Sequence, residues 1–233
     1  MFSSKLTRSI AVGAAAIAVA GGSYGIVSAT SGSPVAASSP AAASSGSGGG
    51  SNARSGPAAG GSSGTVGSVS TSGFTITTSA GQKVTVDEAS STTYQNGTNP
   101  ASASAITTGE PVLVLGTVNN TTITATQVTV QPAGSEGSAA SSAAGVVPFQ
   151  QGAPATSKTV GQIPADYTQG SGTLASGTTA NKATEAALAA YPGGVVDRVV
   201  ELSGGQYEVH YIGVNWPHHI FVNQDFKVIG AND

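Results

Sequence analysis

Along this chain apolar and polar residues alternate with a period of two in two separate blocks, and each block predicts short antiparallel strands. In the first block, about residues 64–131, Thr65–Val69 forms an opening strand and Ser72-Gly73 turns the chain. Phe74 and Ile76 then share one face, with Thr75 and Thr77 on the other. After a second turn at Ala80-Gly81, Val84 and Val86 alternate with Lys83, Thr85 and Asp87. Residues 88–108 are looser and carry the turn pairs Asn96-Gly97 and Asn99-Pro100. Pro111–Val118 is apolar on both faces and predicts a central strand. Asn119-Asn120 suits a tight turn with positive φ. Ile123, Val128 and Val130 complete a last strand that bends at Ala125 or Thr126. Several short strands without a helix predict a small all-β barrel of the OB type, because closure removes exposed edges.

The second block, about residues 178–231, opens with a helical period. Thr178 or Thr179 is placed to cap it, and Ala183, Ala187 and Tyr191 form one stripe. Pro192-Gly193-Gly194 ends the helix. The period then returns to two. Val196, Val200 and Leu202 come first, with a hairpin turn at Gly204-Gly205. Tyr207, Val209 and Tyr211 lie on one face of the next strand, with Glu208 and His210 on the other. Val214–His218 connects to Ile220 and Val222, and Asn223-Gln224-Asp225 turns into a strand holding Phe226 and Val228. One helix on a three- to four-stranded antiparallel sheet is an α+β arrangement.

Composition changes the picture outside these blocks. Of 233 residues, 33 are Gly and 11 Pro, and only 8% are charged and 5% aromatic. Residues 30–63 are almost wholly Ser, Gly, Ala and Pro, which predicts a disordered tether. Residues 132–177 form a second flexible linker in which Ile163-Pro164-Ala165-Asp166-Tyr167 is placed to pack on a neighbouring domain. The expected fold class is therefore multi-domain with disordered linkers. It comprises a leader at 1–29, the tether at 30–63, a β-barrel-like domain at 64–131, a linker at 132–177 and an α+β domain at 178–231.

The leader carries Lys5 and Arg8 ahead of an apolar run from Ile10 to Ala20. Val27-Ser28-Ala29 then fits a small-x-small cleavage pattern. The chain is uncharged from Ile10 to Ala29, so the same residues also suit an uncleaved signal anchor. Both versions predict a secreted or membrane-anchored, extracytoplasmic protein. Absence of cysteine excludes disulfides, thiolate metal sites and a lipidated cysteine. A net charge of -3, with eight Lys and Arg scattered along the length, excludes the basic footprint of a nucleic-acid binder.

Two resemblances follow from these marks. The order Gly67-x-Val69, Gly73-Phe74-x-Ile76, Gly81-x-x-Val84-x-Val86, Thr92, Gly109-x-x-Val112-x-Val114-x-Gly116 and Ala125-x-x-Val128 resembles the bacterial domain family of unknown function 5666. That likeness implies a small barrel outside the cytoplasm and no activity. Ala186–Gly194, Val196-x-x-Val199, Gly205-x-Tyr207-x-Val209 and Val222-x-x-Asp225-Phe226-x-Val228 resemble a PepSY domain. This implies a helix-on-sheet module in propeptides of secreted metallopeptidases or in envelope proteins, with an inhibitory or protein-binding role. Trp216-Pro217-His218-His219 departs from the simple polar turn usual at that place.

Candidate chemistry is sparse. His210, His218 and His219 lie within ten residues, and Glu208 shares a face with His210. Their spacing matches no metal motif, so neither a metal nor a cofactor is expected. No Gly-x-Ser-x-Gly elbow is present, the Gly-rich runs lack a phosphate-loop lysine, and the carboxylates lie in a block too small for a cleft. The chain is thus expected not to be an enzyme. Trp216, Tyr211, His218 and His219 are the candidate partner contacts, Trp216 being either an exposed anchor or a lid on a thin core. The functional expectation is an exported, non-catalytic interaction protein that binds another exported protein, such as a peptidase. The alternatives are a surface spacer without a dedicated ligand and a small-ligand or metal-binding module.

Overall fold

A computed structural model of the chain describes residues 56–132 and 159–233. The leader, most of the tether and residues 133–158 of the second linker lie outside the described residues. The described part is mostly β, with one α-helix. Its strands are β1 (Ala58–Val69), β2 (Gly73–Thr77), β3 (Lys83–Asn96), β4 (Asn99–Ala101), β5 (Pro111–Asn119), β6 (Thr122–Val130), β7 (Thr159–Gly161), β8 (Thr173–Leu174), β9 (Val195–Glu201), β10 (Tyr207–Ile212), β11 (His219–Val222) and β12 (Val228–Asn232), with helix α1 (Gly177–Ala190) between β8 and β9.

Five strands close a barrel in the order β1-β2-β3-β6-β5 and back to β1, with β3 and β6 parallel and the other pairs antiparallel. The alternation seen in the sequence fills it. Phe74, Ile76, Val84, Val86, Val112, Val114, Ile123 and Val128 point inward and are buried. β6 bends where expected: Leu115 pairs with Gln127 and Gly116 with Ala125, so Thr126 has no partner residue across the ladder. Its Oγ1 donates to the Leu115 carbonyl at 3.2 Å. Asn120 takes a positive φ of 53° in the β5–β6 turn. The stretch expected to be loose is partly strand. β3 runs on to Asn96 through an irregularity between Glu88 and Thr93, held by Thr92 Oγ1, which donates to the Ala125 carbonyl at 2.7 Å.

The expected division into two modules on flexible linkers is contradicted. All twelve strands belong to one sheet, because β1 pairs with β9 at Gly61↔Val196 and Ser62↔Val195. From β9 the sheet continues antiparallel through β10, β11, β12 and β7. A separate PepSY-like helix-on-sheet module is therefore not what this chain forms. The cause lies in residues 58–63, which composition assigned to the tether. They start β1, and Ala58–Thr65 pairs with β5 from Val118 to Pro111. Their glycines serve close approach, not flexibility: a Cβ at Gly60 would run into the Val196 carbonyl, and one at Gly61 into the Val114 carbonyl.

Helix α1 seals the junction. Ala180, Ala183, Ala187 and Leu188 are buried, and small side chains let the helix lie close to the glycine-bearing start of β1 as well as to β9, β10 and β11. The cores interlock: Leu113 and Leu115 of the barrel pack in the helix cluster, and Val195 of β9 packs in the barrel cluster. The helix begins one residue ahead of the expected cap, with Ser176 at the N-cap and no side-chain capping bond. Phe226 belongs to a turn, not to the last strand. Its φ is 57°, and Asn223 Oδ1 accepts from the backbone N–H groups of Asp225 and Lys227.

Residues 159–176, the end of the expected second linker, form a strap across the sheet. β7 pairs with β12, and β8 pairs with β9. Between them the Asp166 carboxylate accepts from Ser203 Oγ and from the Gly204 N–H at 2.6 Å, which holds its pKa below the ordinary carboxylate value. Pro164 is buried, so this piece packs as its apolar residues suggest.

Candidate functional site

β10 exposes its two faces to different surroundings. Val209 and Tyr211 join the core beneath α1, while Glu208 and His210 face the strap. His219 of β11 pairs across from His210, and Glu208 sits diagonally to it. On the other side, the β9–β10 register slips between His210 and Tyr211, leaving Asp197 opposite no residue. A bulged residue re-aims its side chain. Here the Asp197 carboxylate reaches His210 Nδ1 at 2.6 Å and Arg198 Nη2 at 2.7 Å.

The result is two abutting carboxylate–imidazole pairs. Glu208, wholly buried, lies 2.8 Å from His219 Nδ1, and His219 is only 5% exposed. The rings of His210 and His219 have centroids 5.1 Å apart. Tyr167 of the strap lies against the His219 ring, with centroids 5.8 Å apart, and edge-on to Phe221 at 4.7 Å, while the His210 side chain is partly open to solvent. Burial works against the charged form of Asp197, yet the hydrogen bonds and charges of His210 and Arg198 outweigh it and hold the carboxyl below its ordinary pKa. Among the described residues, no three His, Asp or Glu side chains converge as metal ligands. The cluster thus offers two hydrogen-bonded carboxylate–imidazole pairs, one buried and one partly open to solvent.

The four residues singled out in the sequence are not brought to one surface. Trp216 is buried, edge-on to Tyr191 with centroids 5.5 Å apart, and follows the lid reading. Tyr211 is buried too, and its hydroxyl donates to the Tyr191 carbonyl at 2.9 Å. Burial pushes the Tyr211 phenol well above its ordinary pKa. Neither side chain is open to a partner. His218 points away from the cluster, with Nε2 2.9 Å from the Val214 carbonyl. Only His219 enters the polar site. Asp197 and Tyr167 were missed. Asp197 depends on a bulge that no alternation pattern announces, and Tyr167 sits in a segment that composition assigned to a linker.

A second feature is a groove of about 520 Å³ between the start of β1 and the start of α1. It arises because β9 hands its edge from β1, at Val195 and Val196, to β8, at Val200 and Glu201. Pro57, Ala58, Ala59, Leu174, Ala175 and Asn181 line it, and no lining side chain carries a charge. Leu174 is 44% exposed and is, with Val69, one of two large apolar side chains open to solvent among the described residues. Among the described residues no helix is long and apolar enough to cross a membrane. No protein-family model matches the chain, and neither does any curated protein or solved structure compared with it.

Proposed function

We propose that the chain is an exported cell-envelope protein with a non-catalytic binding role, and that its groove takes an extended, uncharged segment of another exported protein. The observation that carries this reading is the groove itself. It is uncharged, it borders a strand start, it bears the exposed Leu174, and it lies where the tether enters the folded body. An extended peptide in such a place gains backbone hydrogen bonds from a strand edge and specificity from alternate side chains. The leader pattern supports export, and the tether would set the groove away from a membrane or wall.

The test is site-specific photo-cross-linking in intact envelope, with the probe at position 174 of the full chain and, as control, at position 69. One adduct at 174 and none at 69 is the expected result. Identical background at both positions would leave the groove without a partner and favour the surface-spacer alternative.

A further inference from the structure

We propose that His210 and His219 form a two-histidine site for a divalent transition-metal ion, with copper(II) as its tightest occupant. The two residues lie directly across from each other in the β10–β11 ladder. The adjoining pair carries the ladder bond, in which the Tyr211 N–H donates to the His218 carbonyl at 2.7 Å, so His210 and His219 pair without one. Side chains stand closest at such a pair. Two imidazoles that share one ion at about 2.0–2.1 Å from each nitrogen place their ring centres roughly 4.5–5.2 Å apart, for angles at the ion between about 90° and 110°. The separation of the two rings is 5.1 Å, with their planes inclined at 57°.

The carboxylates decide which nitrogen is left for an ion. A carboxylate only accepts, so the ring nitrogen facing it carries the proton, and a neutral imidazole keeps its lone pair on the other. His210 Nδ1 is held at 2.6 Å by Asp197, and His219 Nδ1 at 2.8 Å by Glu208. Nε2 is therefore the ligating atom of both rings. Among the described residues neither Nε2 has a hydrogen-bond partner, although His219 is only 5% exposed. An outer carboxylate of this kind is the usual companion of a metal-binding histidine, because it fixes the ring and raises its basicity. The guanidinium of Arg198 is engaged by the other oxygen of Asp197 at 2.7 Å. The His210 side chain, 28% exposed, gives an ion its way in, and water completes the coordination. Imidazole ligands suit copper, nickel and zinc, and copper(II) stands highest in the order of divalent affinities. Spacing along the chain hid this pair, because strand register joins it, while His218 beside it turns to the Val214 carbonyl.

Titration of the full chain, free of any affinity tag, with copper(II) alone at about pH 8 tests the site, since imidazole is neutral there. One equivalent should bind with the electron paramagnetic resonance signature of two imidazole nitrogens. H210Q should weaken that equivalent by at least about tenfold, since even an outer partner of a ligating histidine is worth that much. H218Q should bind as the wild type does. Absence of binding, unchanged affinity in folded H210Q, or loss of the site in folded H218Q overturns the proposal. Should H210Q fail to fold, proton NMR of the wild type with substoichiometric copper(II) decides. The paramagnetic ion should broaden the ring signals of His210 and His219 before those of His218. Equal broadening of all three, or of His218 first, would refute the two-histidine site.

Discussion

Two single residues show how burial converts one reading into another. Trp216 stands in a connection beside Pro217, where an exposed aromatic would serve as an anchor, but its ring fills the space against Tyr191 and is 3% exposed. Its contribution is therefore to stability. W216A should cost roughly 3–5 kcal/mol, the range for truncating a buried large aromatic, read from the urea midpoint at an unchanged slope. Asp197 is the opposite case, a charge kept in the interior by its partners. Its folded pKa lies below the ordinary 3.8, so its contribution is present in full above that value and is lost as pH falls through the folded one. D197N should lower stability at neutral pH by about 1.5–3 kcal/mol, the worth of a hydrogen bond to a charged group. The gap from wild type should begin to narrow below about pH 4, where the unfolded carboxylate takes its proton, and close only as pH falls through the lower folded pKa. Denaturation curves at a series of pH values check both the size and the direction.

At the scale of elements, the sequence was most legible where one face is buried and the other wet. Phe74/Ile76, Val84/Val86 and Val209/Tyr211 fall on the core faces that alternation assigns them. The Ala183–Ala187–Tyr191 stripe of α1 does the same. It failed where composition imitates disorder. Gly60, Gly61, Ser62 and Ser63 have the same residue types as the tether before them, because a crowded strand crossing and a flexible linker both favour small residues. Packing tells them apart. Ser62 is fully buried and donates through Oγ to the Gly194 carbonyl at 3.0 Å. A mutation separates the two explanations. In a linker, Gly→Ala is neutral or slightly stabilising, since it restricts the unfolded chain. In β1, G61A must displace the Val114 carbonyl and the Leu115 side chain, and should destabilise by about 1–3 kcal/mol, as overpacking does. A thermal melt of G61A distinguishes the outcomes, and an unchanged midpoint would return residues 58–63 to the tether.

For the molecule as a whole, the consequence of β1 is that neither half owns a complete core. The barrel needs Ala58–Thr65 to close against β5, and the same residues carry the pairing to β9. Helix α1, far along the chain, buries its alanine face partly on barrel residues Leu113 and Leu115. Such sharing of one strand between two cores has no one-dimensional signature. Each block shows its own periodicity, and nothing in either announces the partner. Two independent modules would unfold in two transitions, each of its own size. A body joined through a shared strand and interlocked clusters should unfold as one cooperative unit, with calorimetric and van't Hoff enthalpies in agreement. Calorimetry of the full chain should thus give a single peak. Residues 56–132 alone should lose the cover that α1 and β9 provide, and residues 159–233 alone should leave the edge of β9 open where β1 lies. Either fragment melting cooperatively at the temperature of the full chain would show that the shared strand joins two domains without coupling them.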